Sequence, residues 1–319
     1  MPALYIISAV IGTAALLYLI FIFAPSIVFY KKIFNKKSAT PLDEIDVSKT
    51  YFAPFEKEMR EAADRVESTY EMKRVGITAY DGVTLYADLI DLGFDRTVAF
   101  FHGFSATPII NFGMHTEHFI AEGYNVLLVY QRAHSVSGGE HCTLGLYESN
   151  DVLSWVNWFD GQENIKSVVL YGISMGATTI AYAAKDITSE KVKAIVFDCG
   201  YDTPWNQIAR DCKRRHLPDF LLLPVINLFF RHGYKDDLRR SAAEALKKNR
   251  IPAFFLHGTA DMTVDCRDSV LMHESCASEK KLLLAEGLHH TLAFSTGDDK
   301  LRKEVFDFLD KYTKGDLKK

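Results

Sequence analysis

The chain has 319 residues, 48% hydrophobic and 24% charged, so it is long enough to bury the core of one large α/β domain or of two small ones. Its net charge of −4 at pH 7 disfavours nucleic acid as a partner. The five cysteines include no CxxC pair, which argues against a disulfide framework and against a zinc site.

No charged side chain occurs in residues 1–30, and residues 3–24 are almost entirely apolar. As a helix rising about 1.5 Å per residue, that run is roughly 33 Å long, enough to cross a bilayer. The alternative is a cleaved secretory signal, but no Lys or Arg precedes the run, the run is too long, and no small-residue cleavage site follows it. We therefore expect residues 1–30 to be a retained transmembrane anchor.

Four lysines lie just after this apolar run, and they predict its orientation. Because positive charge favours the cytoplasmic side of a membrane, the remainder of the chain is expected to be cytoplasmic. Unpaired cysteines fit a reducing compartment. The lysines are Lys31, Lys32, Lys36 and Lys37.

Residues 31–72 read as a juxtamembrane linker followed by an amphipathic helix, because apolar side chains recur there at helical spacing. Those side chains are Tyr51, Phe55, Met59, Ala62, Ala63 and Val66. We assign them no chemical role.

Residues 73–319 alternate between apolar runs typical of strands and segments of helical length. This alternation predicts an α/β domain with a mostly parallel, twisted sheet and helices on both faces. A hairpin turning at Asp81-Gly82 comes first. The expected strands are 73–80, 83–91, 97–101, 125–130, 168–171, 194–197, 253–256 and 281–285, and helices are expected over 148–159 and 301–312.

Residues 201–250 interrupt that alternation of strands and helices with two prolines, a Leu/Phe-rich patch and many Lys and Arg residues. We expect an inserted helical cap over the edge of the sheet that carries the candidate site described below. The alternative is a single covering helix with an elongated loop.

The segment 168–180 contains the motif Gly172-Ile173-Ser174-Met175-Gly176 between an apolar run and a small-residue segment of helical character. Strand, sharp turn with a serine, and helix together are the context of a nucleophile elbow. Ser174 is therefore the candidate nucleophile. Glycines flank it because a Cβ there would collide with the neighbouring strand or helix.

An oxyanion needs backbone donors beside the serine. His102-Gly103-Phe104 directly follows the strand 97–101, so the turn it forms is expected beside Ser174. We predict the N–H groups of Phe104 and Met175 as the donors. His102 itself is expected to shape the turn rather than to transfer protons.

The candidate acid is Asp261, four residues past the end of the strand 253–256. Catalytic groups gather at the carboxyl ends of strands. Asp198 and Asp265 are the alternatives. The base is expected after the last strand, at His289 or His290, because adjacent side chains cannot both point at one serine. The resulting order of serine, acid and histidine is that of the α/β-hydrolase plan.

From about Met72 onward the chain resembles the α/β-hydrolase superfamily, and it looks most similar to membrane-anchored bacterial hydrolases of the prolyl-oligopeptidase-like group that also includes carboxylesterases. The motifs that carry the resemblance are Gly-Ile-Ser-Met-Gly, His-Gly-Phe-Ser at 102–105, His-Gly-x-x-Asp-x-x-Val at 257–264, and the loop 131–139. That loop departs from the family pattern at Gln131 and Ser135, where an acid and a glycine are usual. In the family the histidine ends a Gly-small-x-His pattern, which falls on His290 and makes His289 the spacer.

The resemblance and the motifs predict a serine hydrolase that cleaves a carboxylic ester, thioester or small amide through an acyl-enzyme on Ser174. His290 would be the base and Asp261 the orienting acid, and the mechanism needs no metal or organic cofactor. One alternative is an acyltransferase on the same triad. The other is a non-catalytic, membrane-tethered binding module. The expected partners are a small-molecule ester or acyl substrate and the membrane.

Overall fold

A computed structural model describes residues 2–35 and 53–314 of the chain. The described residues divide into two compact units. One consists of residues 2–35 and 203–240, and the other of residues 53–202 and 241–314. Residues 36–52 of the predicted juxtamembrane segment 31–72, including Tyr51, lie outside the described residues.

The larger unit contains one eight-stranded sheet in the order β1-β2-β4-β3-β5-β6-β7-β8. The first two strands form an antiparallel hairpin, β2 pairs antiparallel with β4, and every other pairing is parallel. This confirms the predicted mostly parallel sheet. The strands are β1 (Lys73–Thr78), β2 (Thr84–Ile90), β3 (Arg96–Phe101), β4 (Tyr124–Tyr130), β5 (Ser167–Ile173), β6 (Val192–Asp198), β7 (Ala253–Gly258) and β8 (Lys280–Ala285).

Helices cover both faces of this sheet. One face packs its Val-, Phe- and Tyr-rich side chains against α3 (Glu56–Thr69), α4 (Pro108–Ala121), α11 (Ala293–Thr296) and α12 (Asp299–Thr313). The other helices of this unit are α5 (Glu148–Asp160), α6 (Met175–Ala183) with a short 3₁₀ turn (Ala184–Asp186), α9 (Ala242–Leu246) and α10 (Cys266–Ser275). β3, β5 and β7 are buried along their whole length, because both of their faces are covered.

The smaller unit contains a long N-terminal helix and two further helices. The long helix runs from Pro2 to Phe34 as α1 (Pro2–Tyr18), a π-helical turn (Leu19–Phe23) and α2 (Ala24–Phe34). By length and composition this 33-residue helix could cross a membrane, with a mean hydropathy of 2.5 in its most apolar window. The other two helices are α7 (Pro204–Arg214) and α8 (Asp219–Tyr234).

His115 on α4 is a polar side chain enclosed by aromatic rings. It stacks on Phe294 with ring centroids 4.7 Å apart and meets Phe112 and Tyr171 edge-on. Neither ring nitrogen has a hydrogen-bond partner among the described residues. Burial lowers the pKa of His115 to about 3, so the ring is neutral in the folded protein.

Replacing His115 by Phe is expected to make the protein less sensitive to acid. The folded-state pKa lies below the unfolded value of about 6.5, so His115 costs stability as the pH falls below that value, about 2 kcal/mol at pH 5. Chemical denaturation of both proteins at pH 8 and pH 5 measures how the free energy of unfolding of each one changes with pH. A stability difference between His115→Phe and the wild type that is the same at both pH values would contradict it.

Candidate active site

Ser174 occupies the turn between β5 and α6. Its backbone lies in a strained region with φ 53° and ψ −114°. The turn fits only because its neighbours are glycines: a Cβ on Gly176 would lie 1.9 Å from the carbonyl oxygen of Phe101, and one on Gly172 would lie 2.4 Å from the nitrogen of Ala177. The predicted strand, turn and helix are therefore present around this serine.

The side chains of Ser174, His290 and Asp261 form a continuous hydrogen-bonded chain. His290 Nε2 lies 2.9 Å from Ser174 Oγ, and His290 Nδ1 lies 2.5 Å from Asp261 Oδ2. Because the carboxylate can only accept, Nδ1 carries the proton and Nε2 is left to accept from the serine hydroxyl. This geometry suits proton removal from Ser174.

Asp261 is held as an anion by four donors. Its Oδ1 accepts the backbone N–H groups of Thr263 at 2.7 Å and Val264 at 2.9 Å. Its Oδ2 accepts from His257 Nε2 at 3.0 Å as well as from His290. Burial alone would raise the pKa of Asp261, but the charge of His290 and these hydrogen bonds outweigh it and lower the pKa below its ordinary value.

The two alternative acids have other partners. Asp198 lies at the end of β6 and accepts a hydrogen bond from the Tyr171 hydroxyl at 2.9 Å. Burial raises the pKa of Asp198 to about 7. Asp265 caps α10 by accepting the N–H of Arg267 at 3.0 Å. The carboxylate hydrogen-bonded to His290 is that of Asp261.

Two loops meet to bring Asp261 and His290 together. The N–H of Ala260 donates to the carbonyl of Leu288 at 3.0 Å, and a Cβ on Gly258 would lie 2.1 Å from that same carbonyl oxygen. The side chain of His289 is directed into this junction, with Nδ1 2.9 Å from the carbonyl of Ala260. His290 is thereby the histidine that faces Ser174.

The predicted oxyanion donors are the backbone N–H groups of Phe104 and Met175. Met175 opens α6 immediately after Ser174, where a helix leaves its first N–H groups unpaired. The loop after β3 lies against the serine, since a Cβ on Gly103 would be 3.6 Å from Ser174 Cβ. Within the described part of the chain neither N–H donates to another group, so both are available to a ligand.

Two buried histidines hold the loop that carries Phe104. His102 Nε2 accepts the N–H of Gln131 at 3.1 Å, so its Nδ1 carries the proton and donates to the carbonyl of Gly103 at 2.7 Å. His134 Nε2 accepts the N–H of Ser105 at 3.2 Å. Burial lowers the pKa of His102 to about 3, which keeps it neutral and fits a role in shaping the turn.

The loop 131–139 contains Gln131 and Ser135, the two positions where the chain departs from the pattern that it resembles. The Gln131 side chain donates to the carbonyl of His102, a hydrogen bond that an ionised carboxylate at this position could not make. Ser135 has φ 48°, a left-handed conformation that glycine adopts at less cost. Arg132 anchors the loop through two hydrogen bonds of 2.6 Å to Asp151.

Sequence reasoning missed His257 and Ser269. The hydroxyl of Ser269 on α10 lies 2.7 Å from His257 Nδ1, and Nε2 of the same ring contacts Asp261. The position of His257 at the end of β7, four residues before Asp261, was a usable signal. No local pattern links Ser269 to the site, because α10 brings it there through tertiary packing.

Cys199 adds a thiol beside the acid and the base. The possible ligand atoms of Cys199, Asp261 and His290 lie within 4.8 Å of one another. Burial raises the pKa of the Cys199 thiol well above its ordinary value, whereas a metal binds the thiolate. The hydrogen bonds of Asp261 and His290 also occupy the atoms that an ion would need, so the donor set does not suit a metal.

Comparison with known proteins gives matches to hydrolases. The family model described as the alpha/beta hydrolase fold matches residues 96–221. The uncharacterized protein YqkD of Bacillus subtilis is 27% identical over 219 residues, which cover 67% of this chain and 71% of that protein. An esterase of Pyrococcus furiosus is similar in structure, with a TM-score of 0.64 and 24% identity over 78% of this chain and 96% of the esterase.

A second similar structure is larger. An acylaminoacyl peptidase of Pyrococcus horikoshii has a TM-score of 0.53 and 16% identity, over 76% of this chain and 41% of the peptidase. At these identities the structural matches show the fold. Together with the sheet order, the turn at Ser174 and the family match, they show that the chain has the α/β-hydrolase fold.

Proposed function

We propose that this protein is a serine hydrolase that cleaves a carboxylic ester, thioester or small amide through an acyl-enzyme on Ser174. The observation that carries the proposal is the hydrogen-bonded chain from Ser174 Oγ through His290 to Asp261. The similarity to an esterase and a peptidase supports hydrolase chemistry.

The proposed reaction begins when His290 takes the proton of Ser174 and the serine oxygen attacks the substrate carbonyl. The N–H groups of Phe104 and Met175 stabilise the oxyanion that forms. His290 then protonates the leaving group, and the acyl group remains on Ser174. In the second half, His290 removes a proton from water as the water oxygen attacks the acyl carbon. The bond to the serine oxygen then breaks, His290 returns the proton to Ser174, and the acid leaves. Asp261 stabilises the imidazolium form of His290 throughout.

The proposed location is a membrane. The helix Pro2–Phe34 is only 6% buried across its most apolar window, as expected for a helix that contacts lipid. Lys31 and Lys32 lie in the last turn of α2, so positive charge follows the apolar part and favours a cytoplasmic hydrolase unit.

Labelling with a fluorophosphonate, which reacts covalently with activated serines, tests the nucleophile. The full chain in detergent is expected to be labelled, and Ser174→Ala and His290→Ala are expected to lose labelling by roughly 10⁴-fold. His289→Ala is the matched control, because the adjacent ring contacts Ala260 instead of the serine. Labelling that survives His290→Ala but not His289→Ala would show that His289, and not His290, is the base. A folded wild type that is never labelled would remove the hydrolase proposal.

A hydrophobic acyl ester is the substrate class that fits a hydrolase attached to an apolar, membrane-crossing helix. We therefore expect kcat/KM to rise from acetyl to medium- and long-chain p-nitrophenyl esters. Burial of each additional CH₂ is worth about 0.8 kcal/mol at most, which limits the gain to about fourfold per carbon. A strong preference for the acetyl ester would contradict this substrate class.

His257 is expected to act as a positioning residue for Asp261. His257→Leu removes a donor to a charged carboxylate, worth about 1.5–3 kcal/mol, so kcat should fall roughly 10- to 100-fold while KM stays near its wild-type value. His257→Gln retains an N–H donor of similar reach and should recover part of the loss. Steady-state ester hydrolysis measures both constants. A change confined to KM, or no recovery in the glutamine variant, would argue for a purely structural role.

A further inference from the structure

The inference concerns the outer face of α8 in the smaller unit. Successive residues of a helix lie about 100° apart, which places Phe220, Leu221, Pro224 and Leu228 on one stripe. All four side chains are exposed, and Phe220 and Leu228 are 74% and 64% exposed. A contiguous apolar stripe of this kind marks an interaction surface, whereas single exposed apolar residues are common on any protein surface.

The opposite side of α8 packs on the long N-terminal helix. Phe229 contacts the rings of Phe23 and Tyr30, with centroids 5.5 and 6.0 Å apart, and Phe230 contacts Phe34 at 5.2 Å. By the same 100° spacing, Phe229 and Phe230 lie on the side of α8 away from the exposed stripe. The N-terminal helix therefore fixes the position of α8 and leaves the stripe uncovered.

This packing places α8 beside the end of the apolar helix that carries positive charge. The contacts fall on residues 23–34, the segment that includes Lys31 and Lys32. Packed helix axes are separated by about 8–10 Å. If the N-terminal helix crosses a membrane, α8 must lie at the boundary of that membrane.

The charge of the smaller unit suits an anionic surface. Residues 203–240 contain eight Lys or Arg and four Asp residues, and residues 2–35 add two lysines and no acid. The whole chain has a net charge of −4, so the rest of the protein is strongly acidic while this unit is basic. α8 itself carries one Asp and one Arg, so the positive charge lies on the segments that flank it. An apolar helical stripe flanked by basic residues is typical of segments that lie in a membrane interface.

We propose that α8 lies in the interface of an anionic phospholipid bilayer, with Phe220, Leu221, Pro224 and Leu228 inserted among the lipids. The smaller unit is then attached to the membrane at two places, by the N-terminal helix and by α8. This inference rests on the membrane location proposed above but not on the chemistry of Ser174. It gives a hydrolase of hydrophobic esters a second contact with its lipid phase.

The test uses nitroxide labels on the full chain in vesicles of phosphatidylcholine and phosphatidylglycerol. Cys266, the one cysteine that is not buried within the described residues, is first replaced by Ser. Labels are then attached to Phe220→Cys and Leu228→Cys, with Leu92→Cys, an exposed position in the larger unit, as the matched control. Collisions of the nitroxide with oxygen show that the label is exposed to lipid. Collisions of the nitroxide with a water-soluble nickel complex show that it is exposed to water.

At positions 220 and 228 we expect collisions with the nickel complex to be lost and collisions with oxygen to persist, whereas position 92 should collide with both. Solvent-like collisions at 220 and 228 would overturn the proposal. Loss of both kinds of collision would also overturn it, because protein would then cover the stripe, either residues 36–52 or a second copy of the chain. Two labelled positions keep the test valid if one variant fails to fold.

Two controls separate the proposal about α8 from the proposed membrane anchor and from the proposed hydrolase activity. Extraction of the vesicles at high pH shows whether the N-terminal helix itself is anchored. Fluorophosphonate labelling of the same samples reports Ser174 independently. An anchored, labelled protein whose α8 positions remain in water would remove the inference about α8 and leave the proposed function standing.

Discussion

The strained backbone at Ser174 is the constraint on which the candidate site depends. A positive φ at a non-glycine residue costs of order 1–3 kcal/mol, and the surroundings must compensate for it. Part of that compensation is visible: the N–H of Ser174 donates to the carbonyl of Asp198 at 2.8 Å, and β5 is buried throughout. The turn also requires β3 and α6 to approach so closely that only glycine fits at position 176. The core thus compensates for the strained conformation that directs the Ser174 hydroxyl toward His290.

A second constraint is that both oxygens of the Asp261 carboxylate must accept hydrogen bonds. A buried charge is costly unless hydrogen bonds satisfy it, and this one has four donors. Two of the donors are backbone N–H groups of its own loop, which fix the direction of Oδ2. The remaining lone pairs face His257 and His290, so the imidazole of His290 is held in the tautomer that leaves Nε2 open toward Ser174. The same contacts therefore fix the orientation of His290 and stabilise the charge of Asp261.

The two units differ in chemical character. The larger unit contains the sheet and the whole hydrogen-bonded chain of Ser174, His290 and Asp261. The smaller unit combines the long apolar helix with α7 and α8 and carries most of its charge as Lys and Arg. Its aromatic contacts between Phe23, Tyr30 and Phe229 join segments about 200 residues apart in the chain. No periodicity in either segment predicts that pairing.

Most of the fold was readable from local patterns. Apolar runs marked the six strands that follow the first hairpin, because a parallel sheet covered on both faces is built from mostly apolar side chains. The hairpin itself was marked by alternating polarity and by the turn at Asp81-Gly82. The motif around Ser174 was equally local, since strand, glycine-flanked serine and helix are consecutive. The order of serine, acid and histidine followed from the chain, and it narrowed the acid to a few aspartates and the base to two neighbouring histidines.

The sequence by itself therefore determined the sheet, the turn at Ser174 and the short set of candidate partners. Only the tertiary structure decided among them. Adjacent loop side chains point in different directions, and the hydrogen bonds between the loops at 258–261 and 287–290 turn His290 toward Ser174 and His289 away. The link from Ser269 through His257 to Asp261, and the packing of α8 on the N-terminal helix, likewise depend on contacts between segments that are distant in sequence. Such contacts leave no local periodicity, because they arise only when the strands and helices pack.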